Sequence, residues 1–195
     1  MLCNRFPSVF EMSSMKFILL IVVSIVFVYG HPSPSEEKQP SARNANCRSW
    51  YDKQGDPKEL LAKTLNPPCQ IPATFPSTLI DGWKTDSGCD ASKQPNTCDL
   101  HQGAYGCYRH SVASTGPGAQ ACYDQQGQWI SDPWKGAGTL DAETPSNLIQ
   151  NLLHFTADVL PYYDCCTSEG SPQPETCNLY YEKRPPGQCE DKPAL

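Results

Sequence analysis

Several features that mark common classes of protein are missing from this sequence of 195 residues. It has no Gly-x-Ser-x-Gly elbow and no pair of acidic residues marked by local spacing, which are patterns typical of hydrolases. It has no cluster of Lys and Arg, and its net charge is −6, whereas proteins that bind nucleic acid or anionic lipid carry a basic patch. The sequence therefore predicts no enzyme, no cofactor and no nucleic-acid partner.

Long apolar runs are also scarce, and the only one spans residues 17–29. Lys16 precedes it and Gly30 follows it, which is the layout of a secretory signal peptide. An N-terminal membrane anchor is the alternative, but the run is shorter than the about 20 apolar residues that cross a bilayer. We therefore predict a signal peptide over residues 1–30, a secreted chain that begins near His31, and no stable membrane span after cleavage.

Residues 31–46 contain no large aliphatic side chain and are rich in Pro, Ser and charge. Such a segment cannot bury enough apolar surface to offset the entropy of ordering it. The composition predicts a flexible arm, with an extended segment held against the surface as the alternative. The remaining residues, 47–195, have the length of one domain.

Cysteine is abundant in that domain, which has ten of the eleven cysteines of the chain. On a secretory route an even number of cysteines predicts disulfides, here five, although the spacing does not choose the pairing. We expect the adjacent Cys165 and Cys166 to bond to two separate partners, and the chain to be a monomer without a free thiol. The ten are Cys47, Cys69, Cys89, Cys98, Cys107, Cys122, Cys165, Cys166, Cys177 and Cys189.

Two Cys-x-x-His pairs, Cys98 with His101 and Cys107 with His110, would be a zinc candidate in a cytosolic protein. In an oxidising compartment the same thiols form disulfides, so we expect no bound metal. A Cys–His protease is disfavoured for the same reason, because it needs a free thiolate.

The pattern of apolar residues predicts a small disulfide-rich α+β fold with two helices, short antiparallel strands and long Pro/Gly-rich loops. The first helix follows the cap Asp56-Pro57, and the second spans about 145–160 and ends at Pro161. A strand over 107–112 and a hairpin over 121–130 are expected between them. We also expect the apolar stripe of the second helix, which includes Leu152, to pack on that hairpin.

These landmarks together resemble the AMOP domain, an extracellular module of adhesion-type and mucin-like proteins. The resemblance covers Cys47 to Cys189. Ala121 departs from it, because the family usually has the first cysteine of an adjacent pair there, and this puts one family disulfide in doubt. The matching segments are Cys98-x-x-His101-x-Gly103-Ala104-x-x-Cys107, Gln120-Ala-Cys-Tyr-Asp124-x-x-Gly127, Gly136-Ala-Gly-Thr139, His154, Asp158-Val-Leu-Pro161, Cys165-Cys166, Tyr180 and Arg184-Pro-Pro-x-x-Cys189.

The resemblance implies an extracellular, disulfide-stabilised module linked to adhesion or matrix, and no catalytic residues. We therefore predict a secreted module that acts by contact with an extracellular or cell-surface protein. The alternative is a diffusible ligand for a cell-surface receptor. Aromatic residues are either binding anchors or core residues; we favour the core for Trp129 and Tyr180, and Trp134 is undecided.

Overall fold

The computed structural model describes residues 42–95, 97–167 and 175–195. The predicted signal peptide and residues 31–41 of the predicted arm lie outside these ranges. A four-stranded antiparallel sheet in the order β1-β2-β3-β4 is the centre of the described part. Its strands are β1 (Lys84–Thr85), β2 (Gly106–His110), β3 (Gly118–Tyr123) and β4 (Leu140–Asp141). With four short strands, several helices and five cysteine pairs, the predicted class of small disulfide-rich α+β fold is confirmed.

The hairpin expected over residues 121–130 is present. Asp124 Oδ1 accepts hydrogen bonds from the backbone N–H groups of Gln126 and Gln128, both at 2.9 Å. Gly127 has a φ of +78°, a left-handed conformation that glycine adopts without a steric penalty. Tyr123 and Trp129 face each other across the turn. An Asp at the first turn position and a Gly at the fourth were therefore sufficient to locate this turn.

The loop before β4 runs against the neighbouring strand. The backbone N–H of Gln120 donates to the carbonyl of Thr139 at 2.8 Å. A Cβ atom on Gly138 would lie only 1.9 Å from the carbonyl oxygen of Gln120. The glycine in this segment is therefore required by the close approach of two backbones.

The described chain has four helices instead of the two that were predicted. Helix α1 begins inside the predicted arm, and α4 was not predicted at all. Neither has a strong apolar stripe of its own, so their stability depends on tertiary contacts. None of the helices in the described ranges is long and apolar enough to cross a membrane. The four are α1 (Ala42–Tyr51), α2 (Lys58–Leu61), α3 (α-helical Leu148–His154, a π-helical turn Phe155–Val159 and α-helical Leu160–Cys166) and α4 (Cys177–Lys183).

Helix α3 differs from its prediction at both ends. It begins at Leu148, because Asn147 is the N-cap and its Oδ1 accepts from the N–H groups of the first turn. It continues through Pro161 to Cys166. Pro161 has no N–H to donate to the carbonyl of Ala157, and Arg184 Nη2 donates to that oxygen instead at 3.3 Å.

Five cysteine pairs lie at disulfide distance. Two of them span almost the whole domain, with sequence separations of 118 and 120 residues, and three are local. Cys165 and Cys166 reach two separate partners as expected, and both lie in the last turn of α3. The pairs are Cys47–Cys165, Cys69–Cys189, Cys89–Cys98, Cys107–Cys122 and Cys166–Cys177.

The apolar core lies around the sheet and not under α3. It consists mainly of Ile71, Leu79, Trp83, Tyr108, Ala119, Ala121, Tyr123 and Leu140. A second cluster joins α1, α3 and α4 through Cys47, Cys165, Cys166, Cys177 and Tyr180. The prediction that the stripe of α3 packs on the hairpin is wrong, because Leu152 is 64% exposed. The inner residues of the hairpin strand pack on other parts of the sheet core instead.

This arrangement predicts opposite results for two leucine substitutions. Leu140 is 2% exposed, so Leu140→Ala should lower the free energy of unfolding by about 2–5 kcal/mol. Leu152→Ala removes a side chain that faces solvent and should change it by no more than about 0.5 kcal/mol. Urea unfolding of the oxidised protein measures both values. A loss from Leu152→Ala as large as that from Leu140→Ala would show that α3 packs on a core through its apolar side.

Candidate functional site

The apolar side of α3 faces solvent. Leu148 is 85% exposed and Ile149 is 69% exposed. Large apolar side chains at helical spacing normally face the interior of a globular protein. The apolar side of this helix faces solvent instead. We call its exposed apolar residues the α3 face: Leu148, Ile149, Leu152, Leu153, Phe155, Leu160 and Tyr163.

The opposite side of α3 is buried and holds polar groups. His154, Asp158, Pro161 and Cys165 follow one another at helical spacing, and all four are buried. Cys165 is bonded to Cys47 of α1. A disulfide and ion pairs therefore attach α3 to the domain, and the burial of its leucines contributes little.

Asp158 is the centre of this attachment and is only 1% exposed. Its Oδ1 accepts from Arg184 Nε at 2.6 Å and from the backbone N–H of Ala142 at 2.9 Å. Its Oδ2 accepts from the backbone N–H of Glu143 at 3.1 Å. Burial alone would raise the pKa of the carboxyl, but the His154 hydrogen bond, the charge of Arg184 and the bond from Ala142 hold that pKa below its usual value. Asp158 is therefore a buried carboxylate that remains charged.

His154 connects Asp158 to the end of β4. Its Nδ1 lies 2.9 Å from the carbonyl oxygen of Glu143 and 3.2 Å from Asp158 Oδ2. Both atoms are acceptors, so Nδ1 carries a hydrogen. Burial would lower the pKa of His154, but the hydrogen bond to Asp158 and the charge of Asp141 raise it.

A second arginine extends these ion pairs into the sheet. Arg109 of β2 donates from Nε to Asp86 Oδ2 at 2.8 Å and from Nη1 to Asp141 of β4. The side-chain amide of Gln120 also donates to Asp86. Burial raises the pKa of Asp141 to about 6, although the charge of Arg109 opposes this. We call Asp86, Arg109, Asp141, His154, Asp158 and Arg184 the charge network; its three negative charges balance its positive charges when His154 is protonated.

Arg184 joins the helices of the second cluster to this network. Besides binding Asp158, its Nη2 donates to Gln54 Oε1 at 2.9 Å. Its guanidinium lies 5.2 Å from the centre of the Trp50 ring, a distance typical of a cation–π contact. One side chain thus contacts α1, the segment after α1 and α3.

The network includes a possible set of metal ligands, because ligand atoms of Asp141, His154 and Asp158 all lie within 4.8 Å of one another. Their carboxylate oxygens, however, already accept from two arginines and two backbone N–H groups. A cation there would also lie beside Arg109 and Arg184, and like charges repel. The geometry favours a structural ion-pair network over a metal site.

The other metal candidate from the sequence is arranged differently from a zinc site. Cys98 pairs with Cys89 and Cys107 pairs with Cys122, so neither sulfur is a free thiolate. His101 Nδ1 lies 2.8 Å from the carbonyl oxygen of Ala137, and burial lowers the pKa of this histidine. His101 is therefore a half-buried neutral hydrogen-bonding residue.

An open cleft of about 790 Å³ lies between the sheet and the start of α3. Its lining is polar and includes Lys84, Asp86, Arg109, Asp141 and His154. Pockets that bind small molecules are mainly apolar with a few polar groups, which this cleft is not. Its main consequence is that solvent reaches the edge of the charge network.

Trp129 and Tyr180, for which a position in the core was expected, both pack on a core cluster. Tyr180 is buried between α3 and α4, and Trp129 packs against the sheet core. Trp134 is partly exposed and contacts the ring of Tyr181 edge to face at 5.5 Å.

The larger exposed surface, the α3 face, was not predicted from the sequence. The four-residue spacing of the polar residues His154 and Asp158 is the signal that could have indicated it.

The charge network predicts a large cost for the loss of one arginine. Arg184→Leu would leave Asp158 buried without its cation, and such a change costs about 3–5 kcal/mol of unfolding free energy. Arg43→Leu is the matched control, because Arg43 is exposed and donates to Thr167 at the end of α3; its cost should stay within about 1 kcal/mol. Urea unfolding of both variants gives the comparison. Equal costs would show that Asp158 does not depend on Arg184.

His154 predicts a dependence of stability on pH. Its pKa is raised above 6.5 in the folded chain, so its stabilisation is complete below pH 6.5 and is lost as the pH rises through the folded-state value. The Tm should therefore fall as the pH rises above 6.5. The raised pKa of Asp141, about 6, acts mainly below this range, and the lowered pKa values of His101 and His110 oppose the fall, because they favour the folded state as the pH rises.

The matched variant is His154→Gln, which keeps a side-chain N–H donor but has no titrating proton. Its Tm should not fall over the same range of pH. Calorimetry of both proteins at several pH values provides the test, and an equal fall in the variant would assign the effect to another group.

At least one known protein is similar to this chain in sequence. The chain is 28% identical over 159 residues to Protein mesh of Bombyx mori, an alignment that covers 75% of this chain and 10% of that protein. This chain therefore spans about a tenth of the length of that relative. No solved structure matches the chain. The family model of the AMOP domain matches residues 42–193, from the start of α1 almost to the end of the chain. The chain belongs to the AMOP domain family, an extracellular, adhesion-associated family.

Proposed function

We propose that this chain is a secreted extracellular module that acts by protein–protein contact in cell adhesion or matrix association. The observation that carries the proposal is the α3 face. Exposed apolar residues are common singly, but a group of seven large ones along one helix is typical of an interaction site. The sheet core of the same domain buries its large apolar side chains, so loose packing of the whole domain does not explain why the α3 face is exposed.

Secretion is supported by the cysteines and by the start of the sequence. Five cysteine pairs at bonding distance fit an oxidising compartment. The apolar run over 17–29, with Lys16 before it and Gly30 after it, fits a signal peptide over residues 1–30. The family is extracellular. We therefore place the mature domain outside the cell.

The proposal assigns no catalytic residue, metal or cofactor. The three buried aspartates of the charge network are held by Arg109 and Arg184 and by N–H donors. Carboxylates held in this way orient secondary structure, whereas an acid–base catalyst needs a group that can exchange its proton with a substrate.

The test is the distribution of the secreted chain between the insoluble extracellular fraction and the culture medium. The wild type should be retained in the insoluble fraction. A variant with Leu148→Gln, Leu152→Gln and Phe155→Gln should move to the medium with an unchanged Tm, because Gln is a good helix former and these side chains face solvent. The control variant, Leu65→Gln with Val112→Gln, changes exposed apolar residues outside α3 and should stay in the insoluble fraction.

Two results would contradict the proposal. Equal retention of the wild type and the α3-face variant would show that another surface makes the contact. Wild-type protein found entirely in the medium would favour a diffusible ligand for a cell-surface receptor.

A further inference from the structure

The charges along α3 and its neighbouring segments have one sign. Residues 136–182 include seven Asp or Glu and no Lys or Arg. Asp158 is neutralised in the charge network, but Glu143 before α3 and Asp164 in its last turn are half-exposed. Among the described residues, no Lys, Arg or His forms an ion pair with Glu143 or Asp164.

Asp164 is in a place that helix stability does not favour. The carboxyl end of a helix carries partial negative charge, so an acidic side chain in the last turn is repelled. Arg43 provides the positive charge at this end, and its Nη1 donates to the carbonyl and hydroxyl oxygens of Thr167 at 2.7 and 2.9 Å. Asp164 has no cation among the residues that the structure describes, and it lies next to Tyr163, which belongs to the α3 face.

We propose that the α3 face binds an extracellular protein segment whose apolar side chains are flanked by Lys or Arg. This inference rests on the proposed function and names the partner's chemistry. The apolar side chains provide most of the contact, and the acidic side chain of Asp164 at the carboxyl end of α3 orients the partner and increases the rate of association. The partner's cations pair with Asp164, which has no ion pair within the described residues.

The same charges disfavour the other candidates for this surface. A second copy of the chain would bring another acidic stretch without Lys or Arg against this one, and like charges across an interface are repulsive. A membrane-surface helix has Lys and Arg on its polar side to bind anionic lipid, and α3 has neither. A partner with apolar residues and basic flanks satisfies both features of the surface.

The probes are two synthetic amphipathic helical peptides of about 18 residues, or five turns. Both carry the same Leu and Ile stripe; one has Lys beside the stripe and the other has Glu at the same positions. Fluorescence anisotropy measures the binding of each labelled peptide to the full secreted chain. The Lys peptide should bind at least about tenfold more tightly than the Glu peptide, and its affinity should fall as salt is added.

Four variants connect this binding to the surface. Leu152→Gln should abolish binding of the Lys peptide, and its control Leu65→Gln should not. Asp164→Lys should weaken binding of the Lys peptide about tenfold and strengthen that of the Glu peptide. Asp191→Lys, which reverses an exposed charge outside α3, should leave the preference between the peptides unchanged.

Each other outcome overturns the inference. Equal affinity for the two peptides would show that charge does not select the partner. Lys-peptide binding that survives Leu152→Gln would place the site elsewhere. A dimer of the full chain in sedimentation that Leu152→Gln dissociates would show that a second copy occupies the α3 face.

The secretion experiment separates this failure from a failure of the proposed function. If only the partner's chemistry is wrong, the α3-face variant still leaves the insoluble fraction while Asp164→Lys is retained like the wild type. If the proposed function is wrong, the wild type and the α3-face variant have the same distribution.

Discussion

The buried carboxylate of Asp158 is the constraint on which the arrangement of this domain depends. A charge removed from water must be compensated in place, and the compensation here comes from three parts of the chain. The segment after β4 gives two backbone N–H groups, His154 gives a ring N–H and Arg184 gives a guanidinium. The backbone N–H groups and Arg184 come from outside α3, and Arg184 is 26 residues from Asp158 in sequence. Because all these donors meet at one carboxylate, they fix the position of α3 relative to the sheet and to α4.

This attachment gives the leucines of α3 a different role from the usual one. In most helical domains the apolar side holds the helix in place, and the polar side faces water. Here a disulfide to α1 and the charge network hold the helix, so its apolar side chains are available at the surface. The small sheet core, formed around Trp83, Tyr108 and Tyr123, needs no contribution from them. A domain with long loops and short strands can thus present a large apolar surface without losing its fold.

Local sequence patterns were sufficient for some of this structure and not for the rest. Asp124 and Gly127 located the hairpin because the chemistry of a turn is contained in four residues. The even cysteine count indicated disulfides because a count does not depend on which cysteines pair. Helix α1 depends instead on Cys165, to which it is bonded, and the inward direction of His154 depends on Arg184, which binds the same carboxylate. Each of these partners is more than 25 residues away. A 3.6-residue stripe shows that a helix has two sides, but only distant partners decide which side is inside. The stripe of α3 therefore gave the helix correctly and its orientation wrongly.

The two long-range disulfides also determine how the domain carries mechanical load. Cys47 is near one end of the domain and Cys189 is near the other, and their bridges lead to Cys165 and Cys69. A pull applied outside these positions is carried first by the two short segments between the bridges, residues 47–69 and residues 165–189, because the third covalent path, residues 69–165, is much longer. The sheet between Cys69 and Cys165 lies on this longest path, so the two shorter segments limit the tension that reaches it. A contact surface held beside that sheet keeps its shape under forces that would unravel an uncrosslinked domain.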